Sequence, residues 1–441
     1  MARKQIGAAL TAASLVLTLA ACSGGSGGSG GSGDEGGEPS GDITFLTNRT
    51  DLEKDGTFDR YITEFNETYP DVTVKVEAIT NYEDDVRTRM STSDYGDVLL
   101  IPDAVGVDQY PDFFEPLGSV DELEADYRFI ADKALDGTSY ALAVGGNTFG
   151  VLYNKQVWAD AGVTELPTTP DEFLDDLQLI KDNTDATPYY TNYKDGWPLG
   201  GQWTDNFAGV GGNGEVENDM AVDPSPWDDG KPAAIVDGLL FDIVHAGLSE
   251  ADPLTTNWEQ SKNDFATGKI GAMVLGSWSI AQFQAAATDA GTDPANVGFM
   301  AFPTNIDGKQ VAKIGGDRRL AINVNSGNKT AARAWLEFLV NDSDFAEISG
   351  MISSSKKVDT LPENLAALQD ADVEFFENEP APEGQEGLLN KVADASQVDV
   401  WGNLYRQSLV DTARGQASGD KASFFEGLND KWGAAVEQLA P

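Results

Sequence analysis

The sequence predicts a mixed α/β protein of at least two lobes, each an open sheet flanked by helices. Three observations carry that prediction. Strand-like and helix-like periodicities alternate from Asp42 onward, the order that builds sheets with helices on their faces. The chain has 441 residues, whereas a single hydrophobic core stops growing at about 250–300 residues and longer chains divide. Hydrophobic residues make up 41% and aromatics 9%, enough to fill cores of that size, so disorder is not the default.

Residues 43–46 read as a short strand, and Phe58, Tyr61, Ile62, Phe65 and Tyr69 recur at helical spacing until Pro70-Asp71 stops the helix. Val72, Val74 and Val76 alternate with polar residues as a second strand. After an arginine-bearing helix around 83–92, the unbroken apolar run 98–101 has the character of a buried parallel strand. A second unit opens with two strand-like runs, 140–144 and 149–153, separated by the flexible pair Gly145-Gly146. Thr169-Pro170-Asp171-Glu172 forms a capping box with proline at the first helical position, and Phe173, Leu174, Leu177 and Ile180 supply the buried stripe of that helix. Residues 183–232, rich in Gly, Pro, Asn and Trp and with little periodicity, predict a long functional loop region. A helix at 233–246 follows, then a strand at 270–275, and Gly276-Ser277-Trp278 turns into another helix. Strands at 297–302 and 320–324, a helix carrying Ala332, Trp335, Leu336 and Leu339, and a mainly helical tail from 343 complete the pattern.

The N-terminus places Arg3-Lys4 before an apolar run from Ile6 to Leu19 and the small pair Ala20-Ala21, the layout of a secretory signal over residues 1–21. The run is shorter than the roughly 20 apolar residues that a membrane span needs. Leu19-Ala20-Ala21-Cys22 resembles a bacterial lipobox, in which the cysteine is acylated. Residues 22–41 then hold that cysteine and a Gly/Ser-rich tether with a root-mean-square reach of about 25 Å. Cys22 is the one cysteine, which excludes disulfides, Cys-ligated metals and thiol catalysis from the folded part. With 73 acidic against 29 basic residues and a formal charge of -44, the chain is a poor partner for nucleic acid and for anionic lipid headgroups. A neutral ligand suits it best.

Several ordered segments carry a family resemblance: 140–144; Gly150 to Val163 with Tyr153-Asn154-Lys155; Pro167 to Phe173; Phe265 to Met273 leading to Gly276-Ser277-Trp278; and Phe302-Pro303 ahead of Gly315-Gly316 and Leu320 to Val324. Together with the lipobox they resemble the extracellular solute-binding proteins of ATP-binding-cassette (ABC) importers, in the sugar-binding branch that includes the maltose-binding proteins. The resemblance implies a periplasmic-binding-protein-like fold of type II, with two α/β lobes joined by hinge strands and closing over a ligand. It assigns 42–148 and 300–340 to lobe 1, and 149–299 and 341–441 to lobe 2. It also implies a mono- or oligosaccharide ligand, ABC transporter permease subunits as partners, and a position on the extracellular side of the cell membrane, held there only by the lipid on Cys22. No cofactor, no metal and no catalysis are expected, and the protein is expected to be a monomer.

Five of the nine tryptophans fall between 197 and 278. A sugar ring offers a C–H face that packs on an aromatic plane and a hydroxyl rim that needs directional polar partners, so indoles near Asn, Asp and Arg are apt chemistry. Trp278 ends a strand just before a helix, the edge at which open α/β sheets bind ligands, and in the family the matching Gly-x-Trp aromatic stacks on sugar. By the same resemblance Trp203 offers a second-lobe platform, Trp401 matches a late aromatic element, and Asn147 is a polar cleft residue on the hinge. Trp197, Trp227 and Trp258 read better as lobe packing or loop anchors. Asn48, Arg49 and Asp103 follow strand ends, where polar groups can clamp hydroxyls; a surface ion pair is the other reading of Arg49. Gly315-Gly316 lies on the return through the hinge, where glycine amides can approach a ligand, and Asp317 and Arg318 beside it are candidate contacts.

The single histidine, His245, closes a helix and suits the negative end of its dipole, which leaves a Ser/His/Asp triad or a multi-histidine metal site without material. Asp97 is expected to satisfy backbone groups. The Asp223–Gly230 stretch departs from an EF-hand and reads as a solvated turn. The alternative function is a secreted glycosidase using a carboxylate pair.

Overall fold

In the computed structural model, which describes residues 37–439 except 81, 103 and 104, the first strand, Gly41–Thr47, pairs in parallel with Val72–Ala78 on one side and Val98–Leu100 on the other. The expected leader, Cys22 and most of the tether lie outside the described residues, as does Asp103. The helical spacing seen in sequence becomes helix Thr57–Thr68, which lays Phe58, Tyr61 and Phe65 on this sheet. Trp335, from helix Lys329–Asn341, meets Phe45 and Phe65 edge-on, with ring centroids 6.1 and 5.1 Å apart. Such edge-to-face contacts add to the burial of the rings themselves.

Two long strands join this half to the next. Val311–Ile322 runs antiparallel to Val98–Leu100 and to Leu142–Asn154. Leu142–Asn154 pairs with Val311–Ile322 through Thr148, and from Phe149 onward with Ile270–Gly276 and Val297–Ala301. Thr187–Tyr189 completes the second half as a parallel neighbour of Ile270–Gly276. Leu142 and Val144 are buried in the first core, Val151 and Tyr153 in the second, and Ala143 and Leu152 in a smaller cluster with Phe129 and Phe299. The chain leaves the second core after Phe302 and rejoins the first at Leu320.

Three expectations are corrected. Gly145-Gly146 does not interrupt the second unit, because Leu142–Asn154 is one continuous strand. The glycines serve close packing: Gly146 faces Gly316 across the ladder, and Phe129 lies over both. A Cβ would stand 2.3 Å from Phe129 Cζ at Gly146 and 2.7 Å from Phe129 Cβ at Gly316. Residues 183–232 are not an open loop; they hold helices Gly201–Thr204, Asn206–Gly211 and Val216–Val222. Trp203, Phe207, Val210 and Met220 from these helices enter the second core, but each helix is too short to display a period in the sequence. The tail carries only the short α-helices Phe345–Ile348 and Ala366–Asp370 before Leu388, where its longer helices, Leu388–Ser396, Leu404–Ala413 and Lys421–Leu439, begin. Before that, Pro362, Pro380 and Pro382 deny the chain a long helix.

Candidate functional site

The six residues 314–319 are only half-buried, although they lie in the middle of a strand whose end, Leu320 to Ile322, is buried. Here the two long strands pass from one core to the other, and here polar side chains gather. Asn147, 3% exposed, donates from Nδ2 to Asp317 Oδ2 at 2.8 Å and accepts from Ser277 Oγ at 3.1 Å. Ser277 is tied back to the strand by its own amide, which donates to Thr148 O at 2.8 Å, and its Oγ accepts from Thr148 N at 3.2 Å. A continuous polar line thus runs from Asp317 through Asn147 to the residue before Trp278.

Arg318 continues that line in a strained form. Its φ is +47°, a conformation that costs a non-glycine residue of order 1–3 kcal/mol and persists where the surroundings impose it. Its Nη1 reaches Met351 Sδ at 3.4 Å, and its buried Nε has no hydrogen-bond acceptor among the described residues. Burial pushes this guanidinium below its ordinary pKa, with neighbouring Asp317 acting in the opposite sense and Arg49 reinforcing the shift. Asp317 and Arg318 together carry no net charge, which suits an uncharged ligand rich in hydroxyls.

On the other side, strand Ile270–Gly276 delivers Trp278 to the start of helix Ser279–Ala290. Glycine at 276 is required by the indole, since a Cβ there would stand 2.4 Å from Trp278 Nε1. Half-buried Trp278 packs 5.8 Å from Trp197 and 6.2 Å from Trp258, while Trp197 and Trp258 meet edge-on at 4.7 Å. The amide of Trp258 donates to Asp195 Oδ2 at 2.8 Å, so the start of helix Trp258–Ala266 is anchored beside the turn that bears Trp197. Trp197 is 39% exposed and Trp401 is 36% exposed. Trp401 Nε1 donates to Asn390 Oδ1 at 3.0 Å, and its carbonyl accepts from Gly201 N at 3.0 Å.

The structure therefore joins Asn147 to Asp317 and, through Ser277, to the residue before Trp278, with Arg318 next to Asp317 along the strand, and places other candidates differently. Trp203 is a correction: it is fully buried against Tyr189 and Phe302 in the second core and presents no face to a ligand. At Gly316 the Cβ side is closed by Phe129, whereas at Gly315 a Cβ would meet nothing within 4 Å. Arg49 makes the ion pair that was its other reading, at 2.6 Å to Asp51, and its Nη1 also donates to Ser349 Oγ at 2.7 Å. Asn48 is exposed at the end of the first strand, and Asp103 lies outside the described residues. Trp258 keeps its expected packing role, 5.6 Å from buried Phe283, and meets Trp278 as well; Trp197 joins Trp278 while 39% exposed. A readable signal existed for Trp197, since Gly196-Trp197-Pro198-Leu199-Gly200 is a rigid, glycine-bounded turn that displays an apolar side chain. None existed for Trp258, which lies 61 positions from Trp197.

Other candidates resolve into structure. His245 stacks on Phe241 and its Nδ1 lies 3.2 Å from Ala413 O. Asp97 accepts from Thr44 N at 2.8 Å and Ser326 Oγ at 2.6 Å. Asp223 is filled by Lys231 at 2.7 Å, and among the described residues no group of three His, Cys, Asp or Glu could hold a metal ion. A polar recess of about 500 Å³ lined by Lys75, Glu77, Arg89 and Asp94 lies along the first two strands, away from the aromatic cluster.

The chain matches the family described as bacterial extracellular solute-binding protein over residues 49–344. The diacetylchitobiose binding protein DasA of Streptomyces coelicolor is 27% identical over 386 residues, 83% of this chain and 86% of that protein. A solved structure of BlMnBP1, the binding protein of an ABC transporter from Bifidobacterium animalis subsp. lactis, in complex with mannobiose, is 35% identical with a TM-score of 0.80. The match covers 90% of this chain and 95% of that one. BlMnBP2 of the same organism, a manno-oligosaccharide specific solute binding protein in complex with mannotriose, is 33% identical with a TM-score of 0.81, over 92% and 96% of the two chains.

Proposed function

Because this chain belongs to the bacterial extracellular solute-binding proteins, we propose that it captures a neutral sugar or oligosaccharide between its two lobes and delivers it to the permease of an ABC transporter. The observation that carries this reading is the convergence of a polar line, Asp317, Asn147 and Ser277, with the indoles of Trp278 and Trp197. Hydroxyls would meet the carboxylate, amide and guanidinium, and ring C–H faces would meet the indoles. Relatives that bind mannobiose, mannotriose and diacetylchitobiose support an oligosaccharide.

The two long strands are the natural hinge, but the expected lobe bounds shift: Met300 and Phe302 pack in the second core and Phe345 and Met351 in the first, so 303–351 would move with 42–148, and 149–302 with the helices that carry Val392 to Ala435. Closure couples to ligand only through contacts that exist in the closed state and not in the open one; Arg318 on the hinge and Trp278 on the second lobe would supply them from opposite sides. Acylation of Cys22 would hold the protein, as a monomer, at the outer face of the membrane. The chemistry ends at binding. Calorimetric titration with mannobiose, mannotriose and diacetylchitobiose tests this: saturable one-to-one binding to at least one is expected. Binding of none would refute an oligosaccharide ligand of these classes, and chromatographic evidence of sugar cleavage would point to a glycosidase instead.

A further inference from the structure

The most completely buried cation of the second core is Arg406, in helix Leu404–Ala413, with a side chain 0% exposed. All three of its nitrogens are engaged. Nε donates to Asp237 Oδ1 at 2.8 Å. Nη1 faces three carbonyls, Gly200 O at 2.8 Å, Leu199 O at 3.1 Å and Val400 O at 3.3 Å. Nη2 donates to Thr204 Oγ1 at 3.0 Å, and that hydroxyl in turn donates to Val400 O. Asp237 is itself locked, because Oδ2 accepts from Trp227 Nε1 at 2.7 Å and from Tyr405 OH at 3.2 Å.

The carbonyls gathered by this guanidinium belong to two segments about 200 positions apart, and each segment carries an exposed indole. Leu199 and Gly200 close the turn that begins at Trp197, and Val400 immediately precedes Trp401. A buried ion pair is seldom needed for stability, since apolar residues of similar volume often serve as well. What an apolar residue cannot do is gather several carbonyls in a fixed fork. We propose that Arg406 is a positioning residue that holds Trp197, which lies beside Trp278, and Trp401, on the segment bonded to Gly201, as preformed aromatic surfaces of one platform fitted to a ligand of more than one sugar ring. The ligand half of this proposal rests on the function proposed above; the positioning half does not.

The test uses the full chain and Arg406→Lys, which keeps the charge opposite Asp237 but lacks the fork. Trp197→Ala, Trp401→Ala and the double variant Arg406→Lys/Trp197→Ala complete the set, with circular dichroism confirming the fold of each. In protein labelled with 5-fluorotryptophan, Arg406→Lys is expected to shift or broaden the fluorine resonances of Trp197 and Trp401 together and to leave that of Trp335 in place. Unchanged Trp197 and Trp401 resonances would overturn the positioning role. In calorimetry, Arg406→Lys and Trp197→Ala are each expected to weaken mannotriose binding about tenfold, and the double variant to weaken it little further, because both remove the same platform. Additive losses, or wild-type affinity in Arg406→Lys, would overturn the platform. A wild type that binds neither mannobiose nor mannotriose would refute the manno-oligosaccharide reading, while the fluorine spectra would still decide what Arg406 does. Should Arg406→Lys fail to fold, Trp197→Ala and Trp401→Ala decide: unaltered mannotriose affinity in both would overturn the platform.

Discussion

Arg406 is fully buried and Arg318 half-buried, and their surroundings differ in kind. Arg406 faces a carboxylate, three carbonyls and a hydroxyl. Arg318 has a weak contact to a thioether, a buried Nε without an acceptor among the described residues, and a left-handed backbone. A saturated cation inside a core is architecture, because nothing further can bind it. A cation that is under-bonded and strained at the hinge retains hydrogen-bonding capacity that stability alone would not preserve. The same contrast separates the tryptophans: Trp203 is spent on the core, whereas Trp197 and Trp401 keep exposed faces.

The largest expected effect tests the architectural arginine. Asp237→Ala would leave Arg406 buried without its carboxylate and should cost about 3–5 kcal/mol of stability, read by thermal or denaturant unfolding; a loss below about 1 kcal/mol would erase the distinction drawn above. Next comes Trp278→Ala, expected to weaken the best sugar by about tenfold to a hundredfold in calorimetry, a loss of ~1.4–2.8 kcal/mol. Arg318→Gly should lower sugar affinity about tenfold while changing stability by less than about 1 kcal/mol, since glycine relieves the positive φ. If unfolding showed it to be strongly destabilised, Arg318 would be structural after all. Smallest is Trp203→Phe, with about 1 kcal/mol of stability lost to imperfect packing and sugar affinity unchanged; altered affinity would return Trp203 to the site.

What could be read in advance follows the range of the interactions involved. Strand Val72–Ala78 and helix Pro170–Asn183 are set by local periodicity and a cap, and Thr169 Oγ1 does accept from Glu172 N at 3.2 Å. The strand-end position of Trp278 is local and so readable from sequence, whereas the mutual geometry of Asn147, Asp317 and Arg318 is not. The strained φ of Arg318, the meeting of Trp197 with Trp258 and Trp278, and the burial of Trp203 arise from contacts between segments distant in sequence. Periodicity carries no trace of these. Gly145-Gly146 misled for the same reason: a glycine pair marks a bend or a close approach with equal force, and only Phe129, packed over Gly146 and Gly316, decides between them.

The central claim, capture of an intact oligosaccharide between the hinge polar line and the indoles, is tested most directly by native mass spectrometry of the protein with mannobiose, mannotriose and diacetylchitobiose. The prediction is a one-to-one complex with an unshortened sugar, retained by Trp203→Phe and diminished in Arg318→Gly and Trp278→Ala. Absence of any complex, release of shortened sugar, or equal complex formation by all the variants would contradict it.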